Sequence, residues 1–536
     1  MHLLFPGRHH LLTDFQFKYL YRILQAGLKD EPDVNGIPLG QDNNIEDIIF
    51  VVTSANHSNT RRNPLPFYLR VMALQEFSKE LNVPAYIFGI DDVGHLDDFA
   101  TYIIKKIKHE TDGQFDLTPE NTLILCSTPV LSMYEELGFK ILPAELENRK
   151  EQKFCNQLPW DIVEHIANSE VDWRKDRHVL EKIHPASYRV WVRYNLGDKL
   201  KILFKDKIIG DDGDITCTRD YNSYVRQMDE IAELKYKDTA SYIKSGRIGD
   251  IGCAVGSWIR LACHDEKFRE SDFYGIEVAR HLFDICQQRK FNGDFENPFV
   301  FFAQKNAVTG LVFETGSMNT IHTSSLTHEI ESYGSHEDLM KFIQNRWQEL
   351  VTGGVWINRD VTGPEDKEDI VYMKLTKEDG RNDNFDKLYD NREELEKYLS
   401  GLSTFVKFLR FAKDFRYKEG YRMDYTIVTM DNVDYIKLKL KDACEFMSKK
   451  DYIDNWQSEM HETFCFWSFN DWKYNLEKAG FKLLPHSKAY ANSWIVEERY
   501  KNKVELYKFK NCKLIKQEYP VTNVFLVAEK LPYLKY

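Results

Sequence analysis

Residues 247–257, Arg-Ile-Gly-Asp-Ile-Gly-Cys-Ala-Val-Gly-Ser, decide the fold of the C-terminal part of the chain. A short apolar run passes through Asp250 into a loop with Gly252, Ala254 and Gly256, and an amphipathic run begins at Trp258. Small residues in such a loop let the backbone approach a ligand closely. The pattern places the loop between a strand end and a helix start, where α/β sheets bind nucleotides. A tight turn without a ligand uses the same residue types, so the loop alone does not distinguish a ligand site from a simple turn.

A second buried strand supplies independent support. Residues 273–277, Phe-Tyr-Gly-Ile-Glu, end in a carboxylate 27 positions after Asp250. A carboxylate at the end of the second strand can accept hydrogen bonds from both ribose hydroxyls of a nucleotide. The alternative for Glu277 is an exposed glutamate that caps a helix. The spacing Asp-x-Gly-x-Ala-x-Gly also differs from the dinucleotide fingerprint Gly-x-Gly-x-x-Gly.

Three segments together resemble the S-adenosylmethionine-dependent methyltransferases. Residues 247–257 resemble the first motif of that family, 318–329 resemble the fourth, and 350–360 resemble the sixth. The resemblance implies a class I methyltransferase sheet with S-adenosylmethionine as its cofactor. The residues that it assigns to donor binding are Asp250, Gly252, Ala254, Gly256, Glu277 and Asn306.

Two His-Glu pairs are candidates for the chemistry. Methyl transfer from a sulfonium is an in-line displacement that needs a positioned and, where necessary, deprotonated acceptor. A neutral imidazole is suited to proton removal near pH 7, so we predict catalytic roles for His328, Glu329 and His461, with packed structural histidines as the alternative. A metal site that combines these residues with His322 and Glu462 is disfavoured, because neither pair has the His-x-x-x-His spacing of zinc enzymes.

The N-terminal part of the chain predicts a second parallel sheet. Short apolar runs alternate there with helical patterns, as in other α/β domains; the runs are residues 3–5, 47–52, 85–88 and 122–125. Residues 5–8, 53–67 and 126–139 resemble segments of the archaeal-type nicotinamide mononucleotide adenylyltransferases.

The phosphate-binding signature of that family is altered in this chain. Thr13-Asp-Phe-Gln16 stands where the family has His-x-Gly-His, so both signature histidines are replaced. Thr and Gln can donate hydrogen bonds to a phosphate, but they carry no positive charge. We therefore expect a degenerate domain that binds a nucleotide or serves a structural purpose.

The predicted architecture is α/β with two Rossmann-like domains. The nucleotidyltransferase-like domain covers residues 1–150, and a linker covers 151–180. The methyltransferase domain covers 181–536, with a hairpin and helix before its core at 190–245 and an inserted helical cap at about 361–447. A chain of 536 residues is longer than one hydrophobic core supports, which is consistent with two domains.

Composition limits the partners. The formal net charge of −12 argues against a nucleic-acid substrate, and no apolar run reaches the roughly 20 residues of a membrane span. Nine cysteines without a Cys-x-x-Cys pair indicate reduced thiols and a cytoplasmic protein. We predict a methyltransferase for a small-molecule or nucleotide-like acceptor. The alternatives are a nucleotide-sensing or scaffold pseudoenzyme and a bifunctional nucleotidyltransferase and methyltransferase.

Overall fold

The computed structural model divides into two compact units, Met1–Gly213 and Asp214–Tyr536. None of the helices in the described part of the chain is both long and apolar enough to cross a membrane. The structure describes the whole chain except a set of short segments and, at 221–224, the side chains; the segments are residues 41–43, 93–95, 97, 129, 152, 156–157, 206–209, 212–220, 384, 390 and 533–536.

The first unit is built on a parallel sheet with helices on both faces. Its strands are β1 (His2–Gly7), β2 (Asp47–Thr53), β3 (Ala85–Ile90), β4 (Thr122–Leu125), β5 (Lys140–Leu142), β6 (Leu146–Asn148) and β7 (Lys153–Phe154). Its helices are α1 (Asp14–Ala26), α2 (Phe67–Leu81), α3 (Phe99–Glu110), α4 (Leu131–Glu136), α5 (Pro159–Asn168), α6 (Arg177–Leu180), α7 (Pro185–Arg193) and α8 (Leu196–Lys205).

The strand order of this sheet is β3-β2-β1-β4-β5, and all its pairings are parallel. Successive residues of β2 belong to two different core clusters, with Ile48 and Phe50 in one and Ile49 and Val51 in the other. A strand that is buried on both faces is apolar at nearly every position. The predicted parallel sheet in the N-terminal part is therefore confirmed.

The predicted linker at 151–180 is wrong. Helix α5 buries Ile162 and Ile166 in the core of the first unit, and Trp173 is fully buried there against Trp191. These apolar residues recur at helical spacing and need a core to cover them. The first unit consequently extends to Gly213, well beyond the predicted boundary near residue 150.

The predicted hairpin at the start of 190–245 is also wrong. Residues 185–205 form α7 and α8, and Leu196 and Leu200 are buried one helical turn apart. A spacing of four residues places side chains on one face of a helix, whereas a strand alternates its faces. The predicted helix before the core is confirmed as α9 (Tyr221–Thr239), and residues 206–209 and 212–220 lie outside the described residues.

The second unit alternates strands and helices before a long insertion. Its remaining helices are α10 (Ser257–Cys263), α11 (Arg280–Phe291), α12 (Thr327–Tyr333), α13 (His336–Glu349), α14 (Arg392–Ser400), α15 (Thr404–Asp414), α16 (Leu440–Lys449), α17 (Trp456–Glu459), α18 (Phe469–Lys478) and α19 (Ser493–Ile495). Its strands are β8 (Arg247–Ile251), β9 (Asp272–Glu277), β10 (Val300–Gln304), β11 (Met318–Ser324), β12 (Leu350–Val361), β13 (Ile370–Leu375), β14 (Tyr425–Met430), β15 (Val433–Lys439), β16 (Phe481–Leu483), β17 (Lys488–Tyr490), β18 (Val504–Lys510), β19 (Lys513–Lys516) and β20 (Asn523–Lys530).

The central sheet of this unit has the order β10-β9-β8-β11-β12-β20-β16, and β17 also pairs with β20. Strands β8 to β12 run parallel, whereas β20 is antiparallel to β12 and to β16. The chain leaves β8 toward β9 and β10 on one side and returns to β11 on the other. The strand order therefore reverses beside β8, and ligands of α/β sheets bind at the carboxyl ends of the strands at such a point.

The insertion after β12 is not the helical cap that the sequence suggested. It contains a five-stranded antiparallel sheet in the order β14-β15-β13-β18-β19, and α15 and α16 cover one face of this sheet. Strands β18 and β19 come from beyond residue 447, so the inserted part is not continuous in sequence. Its strands alternate buried and more exposed residues, as in β13, but two of the three outward positions of β13 are the apolar Ile370 and Tyr372, which hides that period in the sequence.

Candidate functional site

The loop between β8 and α10 has an unusual backbone conformation. Gly252, Ala254 and Gly256 have φ angles of 70°, 49° and 75°, all in the left-handed region. A Cβ atom on Gly252 would stand 3.2 Å from the Leu326 side chain, and one on Gly256 would stand 3.0 Å from Phe302. The predicted small residues are therefore required both by the backbone conformation and by close neighbours.

Glu277 lies beside this loop at the carboxyl end of β9. Its Oε2 accepts the Ala254 N–H at 2.9 Å, and its Oε1 accepts the N–H groups of Val278 at 2.8 Å and Ala279 at 2.9 Å. Burial raises the pKa of Glu277 to about 7, although these N–H groups oppose the rise. The carboxylate is thus buried and fixed, which argues against an exposed helix cap.

Asp250 lies at the end of β8, opposite His322 of β11. The His322 Nδ1 atom is 2.7 Å from Asp250 Oδ1, and the His322 ring stacks on Trp258 at a centroid distance of 4.1 Å. The His322 Nε2 atom is buried and has no hydrogen-bond partner within the described residues. Trp258, on the first turn of α10, thereby covers the Asp250 face of the sheet.

Helix α9 covers the same face from outside. The Trp258 indole N–H donates to Thr239 Oγ1 at 2.9 Å, and Arg359 Nε donates to Asp238 at 3.2 Å. Val225 and Met228 of α9 pack against a small core formed by Ala254, Val255, Ala279 and Leu282. The helix that precedes the sheet in sequence therefore lies over the loop that follows β8.

Lys235 points into this region from α9 and is 8% exposed. Burial lowers the pKa of Lys235 to about 8; Arg359 adds to that effect, and Asp250, Asp360 and Glu329 oppose it. The effect of Asp250, Asp360 and Glu329 on this pKa shows that the Lys235 ammonium group lies near these carboxylates at the strand ends. Lys235 was missed by sequence reasoning, because one lysine in a charged helix has no motif around it.

His328 does not fit the predicted role of a base. Its Nδ1 atom is 2.6 Å from Asp360 Oδ1, and its Nε2 atom is 3.4 Å from Glu462 Oε2. Burial acts to lower the pKa of His328, but these two carboxylates raise it well above the ordinary value. The two carboxylates favour a protonated ring, which argues against a neutral imidazole at this position, and the catalytic role of His328 stays a prediction.

The two remaining candidate catalytic residues lie in different surroundings. Glu329 follows His328 on α12 and is close enough to Glu277 and Lys235 to raise the pKa of both. His461 is instead paired with Glu419 of the inserted part. The second His-Glu pair contributes its glutamate, Glu462, to the His328 cluster.

Asn306 lies in the turn after β10. Its Oδ1 atom accepts the Val308 N–H at 2.8 Å, so the side chain shapes the turn. Its assignment to donor binding stays a prediction.

Asp360 and Glu462 were not among the predicted site residues. The Asp360 carboxylate accepts the N–H groups of Leu326 at 3.2 Å and Thr327 at 2.6 Å, and so caps the start of α12. The Tyr333 hydroxyl donates to Glu462 at 3.0 Å. Asp360 ends the run that resembles the sixth motif, which is the signal that could have identified it, whereas Glu462 enters from a distant part of the chain.

The altered signature of the first unit has a structural role. Thr13 and Gln16 form a capping box at the start of α1, in which each side chain accepts the N–H of the other residue at 3.1 Å. The Gln16 amide also donates to buried Glu145 at 2.7 Å, and Ser127 donates to the same carboxylate at 2.8 Å. A buried carboxylate at this helix start repels phosphate groups.

Comparisons with solved structures found several methyltransferases. The chain is similar to S-adenosylmethionine-dependent methyltransferases from Methanosarcina mazei (11% identity, 55% of this chain and 97% of that chain, TM-score 0.28) and Mesorhizobium loti (11%, 56% and 100%, 0.31). A third, from Clostridium acetobutylicum, has 10% identity over 58% of this chain and 99% of that chain, with a TM-score of 0.29. No protein-family model matches the chain, and neither does any curated protein sequence.

Proposed function

We propose that the second unit is an S-adenosylmethionine-dependent methyltransferase. The observation that carries the proposal is the placement of Glu277. A buried carboxylate at the end of the second parallel strand lies against a left-handed, glycine-containing loop at the end of the first. This arrangement stands beside the point where the strand order reverses, where a ribose-containing ligand is expected.

The residues present fit such a donor. Glu277 Oε2 accepts one N–H group and keeps a lone pair for a ribose hydroxyl, whereas Oε1 already accepts two N–H groups. Gly252 and Gly256 supply the left-handed φ angles of the loop, so that backbone borders the donor position. The carboxylates of Asp250, Glu277 and Glu329 complement a cationic ligand. When bound, the donor would supply an electrophilic methyl group.

The chain's own contribution to the reaction is mainly positioning and the exclusion of water. The clamp of His328 between Asp360 and Glu462 fixes the first turn of α12. Glu329 follows His328 on that turn, and it is the residue to which we assign the role of base. In this proposal Glu329 takes the proton from the acceptor atom, and α9 with Trp258 keeps solvent from the Asp250 face.

The acceptor in this proposal is a small or nucleotide-like molecule. The carboxyl end of β11 borders the donor loop, since β11 pairs with β8, and Ser324 Oγ at the end of β11 is buried without a hydrogen-bond partner among the described residues. An unsatisfied hydroxyl costs free energy unless a ligand meets it, so Ser324 is a candidate contact for a polar acceptor. The acidic character of the chain disfavours a long polyanion.

Calorimetric titration of the full-length protein with S-adenosylmethionine tests the proposal. We expect saturable binding of one donor per chain and competition by S-adenosylhomocysteine. The Glu314→Ala variant is the matched control for Glu277→Ala and should keep the donor affinity of the wild type, because Glu314 is an exposed carboxylate paired with Arg247. A wild-type protein that binds neither molecule would refute the methyltransferase assignment.

A further inference from the structure

Lys235 occupies a position on α9 that faces the donor site. Asp238 and Thr239, three and four residues later, lie on the same side of a helix as residue 235. Asp238 accepts a hydrogen bond from Arg359 at the end of β12, and Thr239 accepts one from Trp258 of α10. This face of α9 is therefore turned toward the carboxyl ends of the strands, and Lys235 lies one turn closer to the loop-covering residues Met228 and Val225.

The positive charges at this edge differ in what neutralises them. The His328 imidazolium is held between Asp360 and Glu462, and Arg359 is paired with Asp238. Lys235 is equally buried, but it has neither an ion pair nor a hydrogen bond from its ammonium group within the described residues. The carboxylates of Asp250, Asp360 and Glu329 lie near this ammonium group without a hydrogen bond or ion pair to it, and a buried ammonium without a direct partner favours a ligand anion.

The donor of the proposed reaction carries one anionic group. Its sulfonium and its ammonium group are cations, which the carboxylates of Asp250, Glu277 and Glu329 attract, and its remaining charge is an α-carboxylate. Among the described residues at this edge, Lys235 is the cation without a direct protein partner. We propose that Lys235 binds the α-carboxylate of the methyl donor and thereby selects a complete amino-acid group on that molecule.

This inference rests on the proposed function and makes a separate claim about one chemical group. A salt bridge to a ligand carboxylate in a buried site is a charge-assisted hydrogen bond. Its loss should therefore be seen with a donor that contains the carboxylate and not with one that lacks it. The alternative role for Lys235 is deprotonation of the acceptor, which would leave donor affinity unchanged.

Decarboxylated S-adenosylmethionine provides the required probe, because it keeps the adenosine, the sulfonium and the ammonium group. Calorimetry would compare its affinity with that of S-adenosylmethionine for the wild type, Lys235→Met and Lys237→Met. Lys237 is a matched control on the same helix, since it is exposed and paired with Glu233. Circular dichroism and the thermal midpoint would establish that each variant is folded.

We expect the wild type and Lys237→Met to bind S-adenosylmethionine about 10 to 100 times more tightly than the decarboxylated form, which corresponds to one charge-assisted hydrogen bond. Lys235→Met should bind the two molecules with nearly equal affinity, and its affinity for the decarboxylated form should match that of the wild type. Undiminished discrimination in Lys235→Met, or an equal loss of both ligands, would overturn the inference. Binding of neither ligand by the wild type would instead refute the proposed function and the inference with it.

Discussion

His328 Nδ1 lies 2.6 Å from Asp360 Oδ1, and the other oxygen of the same carboxylate caps the helix on which His328 stands. Burial acts to raise the pKa of Asp360, but the His328 imidazolium and the hydrogen bonds at the helix start hold it below the ordinary value. The Asp360 carboxylate therefore connects the end of β12 to the start of α12. His328, which it holds, connects both to the inserted part through Glu462.

Asp360→Asn should destabilise the second unit by about 3–5 kcal/mol, because it removes one partner of a buried ion pair. Because the pKa of His328 is raised in the folded state, the protonated ring contributes its full stabilisation below pH about 6.5. This contribution is lost as the pH rises through the raised pKa. Because the pKa of Asp360 is lowered in the folded state, its carboxylate contributes its full stabilisation above pH about 3.9. This contribution is lost as the pH falls through the lowered pKa. Urea unfolding at pH 6 and pH 9 should therefore show a larger cost of the substitution at pH 6.

The control for this variant is Asp284→Asn, since Asp284 forms an exposed ion pair with Arg280. Such a pair contributes no more than about 1 kcal/mol. Equal urea midpoints for Asp360→Asn and Asp284→Asn would show that the cluster is not a stabilising element.

Glu277→Ala should weaken the binding of S-adenosylmethionine by about 1–3 kcal/mol, because a ribose hydroxyl loses its acceptor. Calorimetric titration measures the change directly. Unchanged donor affinity would show that Glu277 serves only to hold the Ala254 N–H.

Donor affinity should also depend on pH through Glu277. Because its pKa is about 7 in the free protein, the carboxylate that accepts the ribose hydroxyl is fully formed only above that pH. Affinity for S-adenosylmethionine should increase as the pH rises from 6 to 8, and Glu277→Gln should flatten this dependence. A wild-type affinity that falls over this interval would contradict the assignment.

Gly252→Ala should abolish or strongly reduce donor binding. The new Cβ atom would stand 3.2 Å from Leu326 at a φ of 70° and would shift the loop. Gly293→Ala is the matched control, since Gly293 has a φ of 81° and open space around it. Both variants should lose about 1–2 kcal/mol of stability from the left-handed conformation, but only Gly252→Ala should lose donor affinity.

The first unit should not transfer an adenylyl group. Thr13 and Gln16 carry no positive charge, and Glu145 lies beside them. Incubation with ATP, nicotinamide mononucleotide and magnesium should release no pyrophosphate above background in a coupled assay. Release that depends on Gln16 would instead establish a second activity.

Part of the site could be predicted from the sequence because local backbone requirements fix it. Gly252 and Gly256 meet a left-handed φ and close aromatic or aliphatic neighbours, and Glu277 ends a buried strand next to them. His328 was singled out as well, but its protonation state depends on Asp360 and Glu462, which lie 32 and 134 positions further along the chain. The sequence gives no measure of that proximity.

The sequence by itself determined the two α/β patterns, the glycine loop and the carboxylate that follows it, since these depend on residue types within a few positions of each other. Tertiary structure alone decided that Trp173 belongs to the core of the first unit and that the insertion forms an antiparallel sheet. It also decided that Lys235 is buried among the carboxylates at the strand ends. Burial and charge pairing arise between residues distant in sequence, so only the folded chain brings together the groups that set them.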